Sequence, residues 1–213
     1  MTVDNPLKIN RKLAEPVTRF FLKTPATPNQ ITLLTCIAGV ASGIFFSVGT
    51  YSAGVLGALA YGAAQILDNC DGNVARAKNM KSELGGWFDI AADGIVDCSL
   101  FVGLAIGLSN FLLGAVCVVG VFCHLVIVII EKIKGFGPAV FNQSSPRNAG
   151  HENIFLKLVE ALREGESSWL VLGFSVTGQS YWLLALGALY MQALWIGMLC
   201  LNFRFLVTPN ETR

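Results

Sequence analysis

The chain has 213 residues, of which 54% are hydrophobic and only 14% are charged, with a formal net charge of +1 and a mean hydropathy of +0.59. A soluble domain of this size could not cover so much apolar material with polar surface, so that class is excluded. We predict an all-α, polytopic membrane protein and expect no nucleic-acid partner.

The N-terminal residues predict a helix on the membrane surface. The stretch "KINRKLAEPVTRFFLK" has no uninterrupted apolar core, so it does not read as a signal peptide. Its apolar residues are set among Lys and Arg, a pattern typical of an amphipathic helix on the inner leaflet. Pro16 should bend or divide this helix. We assign residues 1–26 to the surface helix and the segment that leads into the membrane.

Six nearly uncharged stretches follow, at about 31–48, 52–67, 85–108, 110–130, 167–178 and 181–203. Most approach the roughly 20 residues that a membrane-spanning helix needs. The fifth reaches that length only if it begins in the polar residues before Ser167. Thr27 and Pro28, in "TPNQIT", are typical of a helix start. We therefore predict a six-helix bundle over 27–206, within a single membrane domain of residues 1–213.

The basic residues predict the orientation of these helices. Three short loops, near 49–51, 108–110 and 178–180, contain no Lys or Arg, and all fifteen basic residues fall on the other side. The positive-inside rule then places both termini, and the loop between the second and third stretches, on the cytoplasmic side. A bacterial inner membrane is the expected location. A cytoplasmic segment is predicted at 131–166, with helical spacing between Ile154 and Arg163.

Acidic residues are concentrated in the second and third stretches and the loop between them. Asp68 and Asp71 are three residues apart, while Asp89, Asp93 and Asp97 are each four apart, so each set shares one helix face. A return loop would make the two helices antiparallel neighbours whose acidic faces can meet. With a rise of about 1.5 Å per residue, the third helix carries its aspartates to headgroup depth or below.

Ionised carboxylates at that depth repel one another and need positive charge nearby. Oxygen ligands at helical spacing suit Mg²⁺ or Mn²⁺ rather than zinc, and two such ions would balance four carboxylates. Gly72, Ala75 and Gly85 leave room for a bulky group, and Arg76 can meet phosphate oxygens. These residues predict a metal-dependent site for a diphosphate.

The arrangement Asp68-x2-Asp71-Gly72-x2-Ala75-Arg76-x8-Gly85-x3-Asp89-x3-Asp93 resembles the complete signature of the CDP-alcohol phosphotransferase (CDP-alcohol phosphatidyltransferase) family. Every spacing matches. The six predicted helices, the cytoplasmic ends and the surface helix also fit this family, so the resemblance covers most of the chain.

The resemblance implies specific roles for these residues. Two divalent cations, Mg²⁺ or Mn²⁺, would be surrounded by Asp68, Asp71, Asp89 and Asp93. The CDP donor would be contacted by Asp68, Gly72, Ala75, Arg76 and Gly85. Asp93 corresponds to the general base. The implied reaction is attack by an alcohol on a CDP-activated donor, which we expect to be CDP-diacylglycerol, with release of CMP by a homodimeric enzyme of phospholipid synthesis.

The acceptor stays open among glycerol phosphate, an inositol or inositol phosphate, serine, or a small CDP-linked alcohol used with diacylglycerol. A phosphorylated acceptor would need a cationic pocket, for which Lys132, Lys134 and Arg147 are candidates; ordinary positive-inside charge explains them equally well. Asp97 could orient Asp93, touch the acceptor, or make a polar contact with a neighbouring helix. His124 is expected to hydrogen-bond a neighbour.

Two other functions share some of these features. An intramembrane prenyltransferase also binds a diphosphate through aspartates and magnesium, but normally has two separate acidic clusters and more helices. A divalent-cation transporter could place aspartates along an ion path, although such a path does not need a phosphate pocket. Metal-dependent release of CMP from a CDP-lipid would distinguish all three.

Overall fold

The computed structural model of the chain describes residues 9–134 and 167–207, with side chains described up to residue 200. Those residues form seven α-helices and no strand, as the all-α prediction requires. The helices are α1 (Ile9–Leu22), α2 (Pro28–Ser47), α3 (Tyr51–Ala77), α4 (Glu83–Gly107), α5 (Phe111–Ile133), α6 (Ser167–Val176) and α7 (Ser180–Val207).

Four of these helices are long and apolar enough to cross a membrane: α2, α4, α5 and the Ser180–Cys200 part of α7. Helix α3 has 27 residues, but its second half holds the polar signature, and α6 has ten residues. Helices α2 to α7 thus correspond one for one to the six predicted stretches, and four of them qualify as spans by length and composition.

Two helices extend beyond the uncharged stretches that the sequence outlines. Helix α3 continues to Ala77, so most of the acidic segment is helical and the return loop is only 78–82. The helix continues because its polar residues share a face, and a polar face does not interrupt a helix. Helix α5 also runs to Ile133, beyond the predicted start of the cytoplasmic segment. Most of that segment, with the predicted helix at Ile154 to Arg163, lies outside the described residues.

Helix α1 is continuous through Pro16, which neither divides it nor ends it. Its buried face consists of Asn10, Ala14 and Thr18, spaced four apart. Ala14 packs with buried residues of α2 and α3, and Asn10 exchanges hydrogen bonds of 2.8 and 3.2 Å with Ser168 of α6. Helix α1 therefore supports the part of α3 that carries the first two aspartates.

Helix α2 is the helix against which both signature-bearing helices, α3 and α4, pack. It packs extensively against both α3 and α4, which contact each other much less. Glycines on α2 and α4 allow this close approach: a Cβ on Gly39 would meet Val96, and a Cβ on Gly103 would meet the backbone of Gly43. Such small-residue contacts are typical of helix pairs in membranes. The two acidic helices are thus held through α2, rather than by direct packing as the sequence suggested.

Side-chain caps define where these helices begin. Helix α2 begins where "TPNQIT" predicted, and Thr27 and Gln30 form a reciprocal capping box there. The side chains of Thr50, Ser82 and Asn110 accept a backbone N–H at the starts of α3, α4 and α5. The Ser82 cap fixes the start of α4 two turns before its first aspartate, Asp89.

Candidate metal and donor site

Three carboxylates converge where α3 and α4 meet the return loop. One oxygen from each of Asp68, Asp71 and Asp89 lies within 4.8 Å of the other two. Asp71 is buried, whereas Asp68 and Asp89 are partly exposed. The acidic faces inferred from residue spacing therefore do meet, at one end of the two helices.

Thr32 of α2 orients Asp71. Its hydroxyl donates to Asp71 Oδ2 at 2.6 Å, inside the buried interface between α2 and α3. Sequence reasoning missed this residue because "TPNQIT" was interpreted only as a helix start. The available signal was position: Thr32 stands one turn after Pro28, on the side of α2 that a buried neighbour would cover.

The basic residues nearest in sequence to these aspartates form hydrogen bonds with other groups. Lys78 donates to the carbonyl oxygens of Phe21, Thr24 and Ala26 at 3.2, 2.8 and 2.9 Å, and so joins the end of α3 to the end of α1. Arg76 donates to the Asn73 side chain. Within 9–134 and 167–200, no ion pair joins the three carboxylates to Lys or Arg.

This donor set fits a hard divalent cation. Three converging carboxylates that form no ion pair with Lys or Arg in the described part of the chain need further compensating charge, and oxygen-only ligands at this separation are those that Mg²⁺ and Mn²⁺ prefer. Zinc would be expected to recruit His or Cys. Cys70 lies between two of these aspartates in sequence, but its thiol donates to the Ala14 carbonyl, on the other side of α3.

Asp93 lies outside the group of three oxygens. It is exposed, and together with Asp68 it lines a cavity of about 790 Å³ bounded by α3, α4, α5, α6 and α7. One turn further along α4, Asp97 lines the same cavity and accepts a hydrogen bond of 3.2 Å from the Tyr61 hydroxyl. His124 also lines it. A ligand in this cavity could therefore reach Asp93 from beside the carboxylate cluster.

The predicted donor contacts differ in the space around them. A Cβ on Gly72 would make only ordinary contact with the Arg76 guanidinium, at 3.6 Å. A Cβ on Gly85 would lie 3.0 Å from Ser82 Oγ and 3.4 Å from Asn29 Oδ1. Ala75 is partly buried. Gly85 thus stands where α2 and α4 come together, and Asn29 is a polar neighbour that sequence reasoning did not identify.

One predicted acceptor cation lies close to the start of α4. Lys132 Nζ is 4.4 Å from the centre of the Trp87 ring and 2.8 Å from the position of a Cβ on Gly86. Lys134 forms the C-cap of α5, and Arg147 lies outside the described residues. Of the three candidates, Lys132 is thus placed one turn from Asp89 along α4.

Comparison with known proteins is consistent with this geometry. The family described as CDP-alcohol phosphatidyltransferase matches residues 25–142. Those residues contain the whole signature, together with α2, α3, α4 and α5.

Two curated relatives share about a third of their aligned residues with this chain. The bifunctional IPC transferase and DIPP synthase of Archaeoglobus fulgidus is 32% identical over 163 residues, which is 73% of this chain and 31% of the relative. The archaetidylinositol phosphate synthase of Pyrococcus horikoshii is 38% identical over 105 residues, 47% of this chain and 53% of the relative. The chain thus spans about a third to a half of the length of these relatives.

A solved structure shares the fold. The phosphatidylinositol phosphate synthase of Mycobacterium tuberculosis, crystallised with CDP-DAG bound, is 21% identical, with a TM-score of 0.51 over 95% of this chain and 98% of that one. The family match covers the signature and more than half of the chain, which argues against the prenyltransferase and transporter alternatives. The chain therefore belongs to the CDP-alcohol phosphatidyltransferase family.

Proposed function

We propose that this protein is a membrane enzyme of phospholipid synthesis, which transfers a phosphatidyl group from CDP-diacylglycerol to an alcohol acceptor with release of CMP. The observation that carries the proposal is the convergence of Asp68, Asp71 and Asp89 beside a large cavity, in a chain of this family. An inositol phosphate is the proposed acceptor, because the Pyrococcus relative is named for an inositol phosphate product.

The acidic residues hold the metals and accept the proton. Asp68, Asp71, Asp89 and Asp93 are proposed to surround two Mg²⁺ or Mn²⁺ ions, with Asp71 held in place by Thr32. Bound divalent cations would neutralise the diphosphate and stabilise the departing CMP. Asp93 takes the proton of the attacking hydroxyl, a role that its exposure to the cavity supports.

The donor's CDP group is proposed to lie over Asp68, Gly72, Ala75, Arg76 and Gly85. Arg76 is exposed and folded back onto Asn73, so its guanidinium can turn toward a diphosphate without disturbing the core. A guanidinium suits this task because it offers parallel donors to phosphate oxygens. Gly72 keeps the surface beneath that guanidinium free of side chain.

A separate cationic pocket would receive the phosphate of the acceptor. Lys132 is the best supported member, since it lies against the first turns of α4, near Asp89. Lys134 and Arg147 are proposed to complete the pocket. The acceptor phosphate would then be held by lysine and arginine while its hydroxyl points toward Asp93.

The whole chain is proposed to form one membrane domain. Helices α3 and α6 would complete six spans, with α6 extended by residues before Ser167. Helix α1 would lie on the membrane surface, since Leu13 and Phe20 are exposed among Arg and Lys side chains. Both termini and the active site would face the cytoplasm, in a homodimer within a bacterial inner membrane.

The test is an assay of the purified protein with CDP-diacylglycerol, Mg²⁺ or Mn²⁺, and a panel of acceptors. Metal-dependent release of CMP is expected, fastest with inositol phosphate, and Asp89→Asn should lower it by orders of magnitude. Release of CMP that needs no metal, or near-normal turnover in Asp89→Asn, would refute the metal mechanism. A preference for glycerol phosphate or serine would refute only the proposed acceptor.

A further inference from the structure

Tyr61 and Asp97 form a hydrogen-bonded pair that the proposed reaction does not use. Tyr61 is 4% exposed, and its hydroxyl donates to Asp97 Oδ1 at 3.2 Å. One residue comes from α3 and the other from α4, and both line the cavity. The bond therefore connects the same two helices whose carboxylates form the candidate metal site.

Residue spacing places this pair in register with the carboxylates. Tyr61 precedes Asp68 by seven residues on α3, and Asp97 follows Asp89 by eight residues on α4. Seven or eight residues are two helical turns, so each member of the pair shares a face with the carboxylate of its own helix. The helices are antiparallel, and the pair thus lies about 10–12 Å further from the return loop than the carboxylates.

The separation of α3 and α4 is not set by direct packing between them. Each packs mainly against α2, and the cavity lies between their facing sides. At the loop end, the three carboxylates repel one another and so favour a wider separation. Two turns away, the Tyr61–Asp97 bond opposes that widening. The hydrogen bond can thus affect the carboxylates without touching them.

We propose that Tyr61 and Asp97 are a positioning pair, whose hydrogen bond, added to the packing of both helices on α2, sets the separation of α3 and α4 beside the cavity and thereby the metal affinity of Asp68, Asp71 and Asp89. This inference rests on the proposed metal site. It predicts that metal affinity depends on the hydrogen bond between Tyr61 and Asp97 and does not depend on the charge of Asp97. An Asp97 that contacted metal or substrate directly would instead need its charge.

Three substitutions separate these possibilities. Tyr61→Phe removes the donor hydroxyl, which also hydrogen-bonds the Ser167 side chain of α6, and Asp97→Ala removes only the acceptor of the pair. Asp97→Asn removes the charge but keeps an oxygen that can accept from Tyr61. Tyr51→Phe is the matched control: Tyr51 lies on the same helix, and its hydroxyl donates to the Val176 carbonyl at 2.9 Å, but it stands at the end of α3 away from the carboxylates.

The measurement is the Kd of Mn²⁺ for the detergent-purified protein without substrates, from the electron paramagnetic resonance signal of free Mn²⁺. Tyr61→Phe and Asp97→Ala should each raise the Kd by about tenfold, the effect typical of residues that orient metal ligands. The double variant should be no weaker than either single variant, since both remove the same bond. Asp97→Asn and Tyr51→Phe should stay within about twofold of the unmodified protein.

Each result has a distinct meaning. If the unmodified protein does not bind Mn²⁺, the proposed metal site itself fails. If it binds and Tyr61→Phe binds equally well, the positioning role is overturned. If Asp97→Asn is as weak as Asp97→Ala, the charge of Asp97 acts directly, and the proposal is likewise overturned. Should Tyr61→Phe fail to fold, the comparison of Asp97→Asn with Asp97→Ala decides alone.

Discussion

Gly103→Ala tests whether the contact between α2 and α4 holds the bundle together. A Cβ at this position would stand against the carbonyl carbon and Cα of Gly43, at 2.8 Å from each. These are backbone atoms of a helix and cannot rotate away, so the two helices must move apart. Overpacking of this kind costs about 1–3 kcal/mol. The better helix propensity of Ala returns up to about 1 kcal/mol.

We therefore expect Gly103→Ala to lower the free energy of unfolding by about 1–2 kcal/mol, which corresponds to a fall in Tm of roughly 2–8 °C for a chain of this length. Two other glycines provide a graded control. A Cβ on Gly94 would meet the end of the flexible Leu125 side chain, whereas a Cβ on Gly62 meets nothing within 4 Å. The loss of Tm should be largest for Gly103→Ala, smaller for Gly94→Ala, and absent for Gly62→Ala.

The chain's own thiols provide the assay. Cys36, Cys70 and Cys117 are free and buried, so a thiol-reactive fluorophore will label them only as the protein unfolds. Heating the detergent-purified variants with such a dye gives Tm directly. If Gly103→Ala melts at the same temperature as Gly62→Ala, the close approach of α2 and α4 does not hold in solution, and the proposed route by which α2 spaces the acidic helices is lost.

Three further predictions concern the site. Thr32→Val, which keeps the volume but removes the 2.6 Å hydrogen bond to Asp71, should weaken Mn²⁺ binding by about tenfold; unchanged binding would mean that Asp71 is positioned without it. Gly85→Leu should block binding of a CDP-lipid in a protein that still folds and inserts, since its side chain would fill the space beside Asn29; normal nucleotide binding would make Gly85 a packing residue only. Asp93→Asn should lose most turnover but retain binding of CDP-lipid with metal, measured in one preparation; if affinity collapses with the rate, Asp93 belongs to the metal shell first.

Residue spacing was sufficient to predict the acidic faces of the two signature helices. Three- and four-residue intervals place side chains on one side of a helix, whatever surrounds it. A short polar stretch then has to return the chain, which brings Asp68 and Asp89 to the same end. These steps depend on local geometry alone, and they predicted the convergence of three carboxylates.

The sequence did not reveal what lies between the two helices. Spacing within one helix says nothing about which other helix packs against it, so α3 and α4 were expected to be direct neighbours. The glycines at 39, 43, 103 and 107 are spaced by four on α2 and α4, and this regularity is the signal that pairs those helices instead. The Tyr61–Asp97 hydrogen bond depends on the same arrangement of helices. The sequence alone therefore could not identify Tyr61 as the partner of Asp97.

The contacts made by the nearby cations bear on how the charge of the acidic cluster is compensated. Lys78 caps the end of α1 through three carbonyl oxygens, where a cation is also favoured by the helix dipole. These three hydrogen bonds hold the end of α1 against α3. Helix α1 in turn packs on α3 beside Asp68 and Asp71. Because Lys78 donates to these carbonyl oxygens, it does not pair with the carboxylates. The Arg76 side chain is exposed and can reach a ligand. Compensating charge would then come with the metal ions, which would also offset the charge of the proposed diphosphate donor.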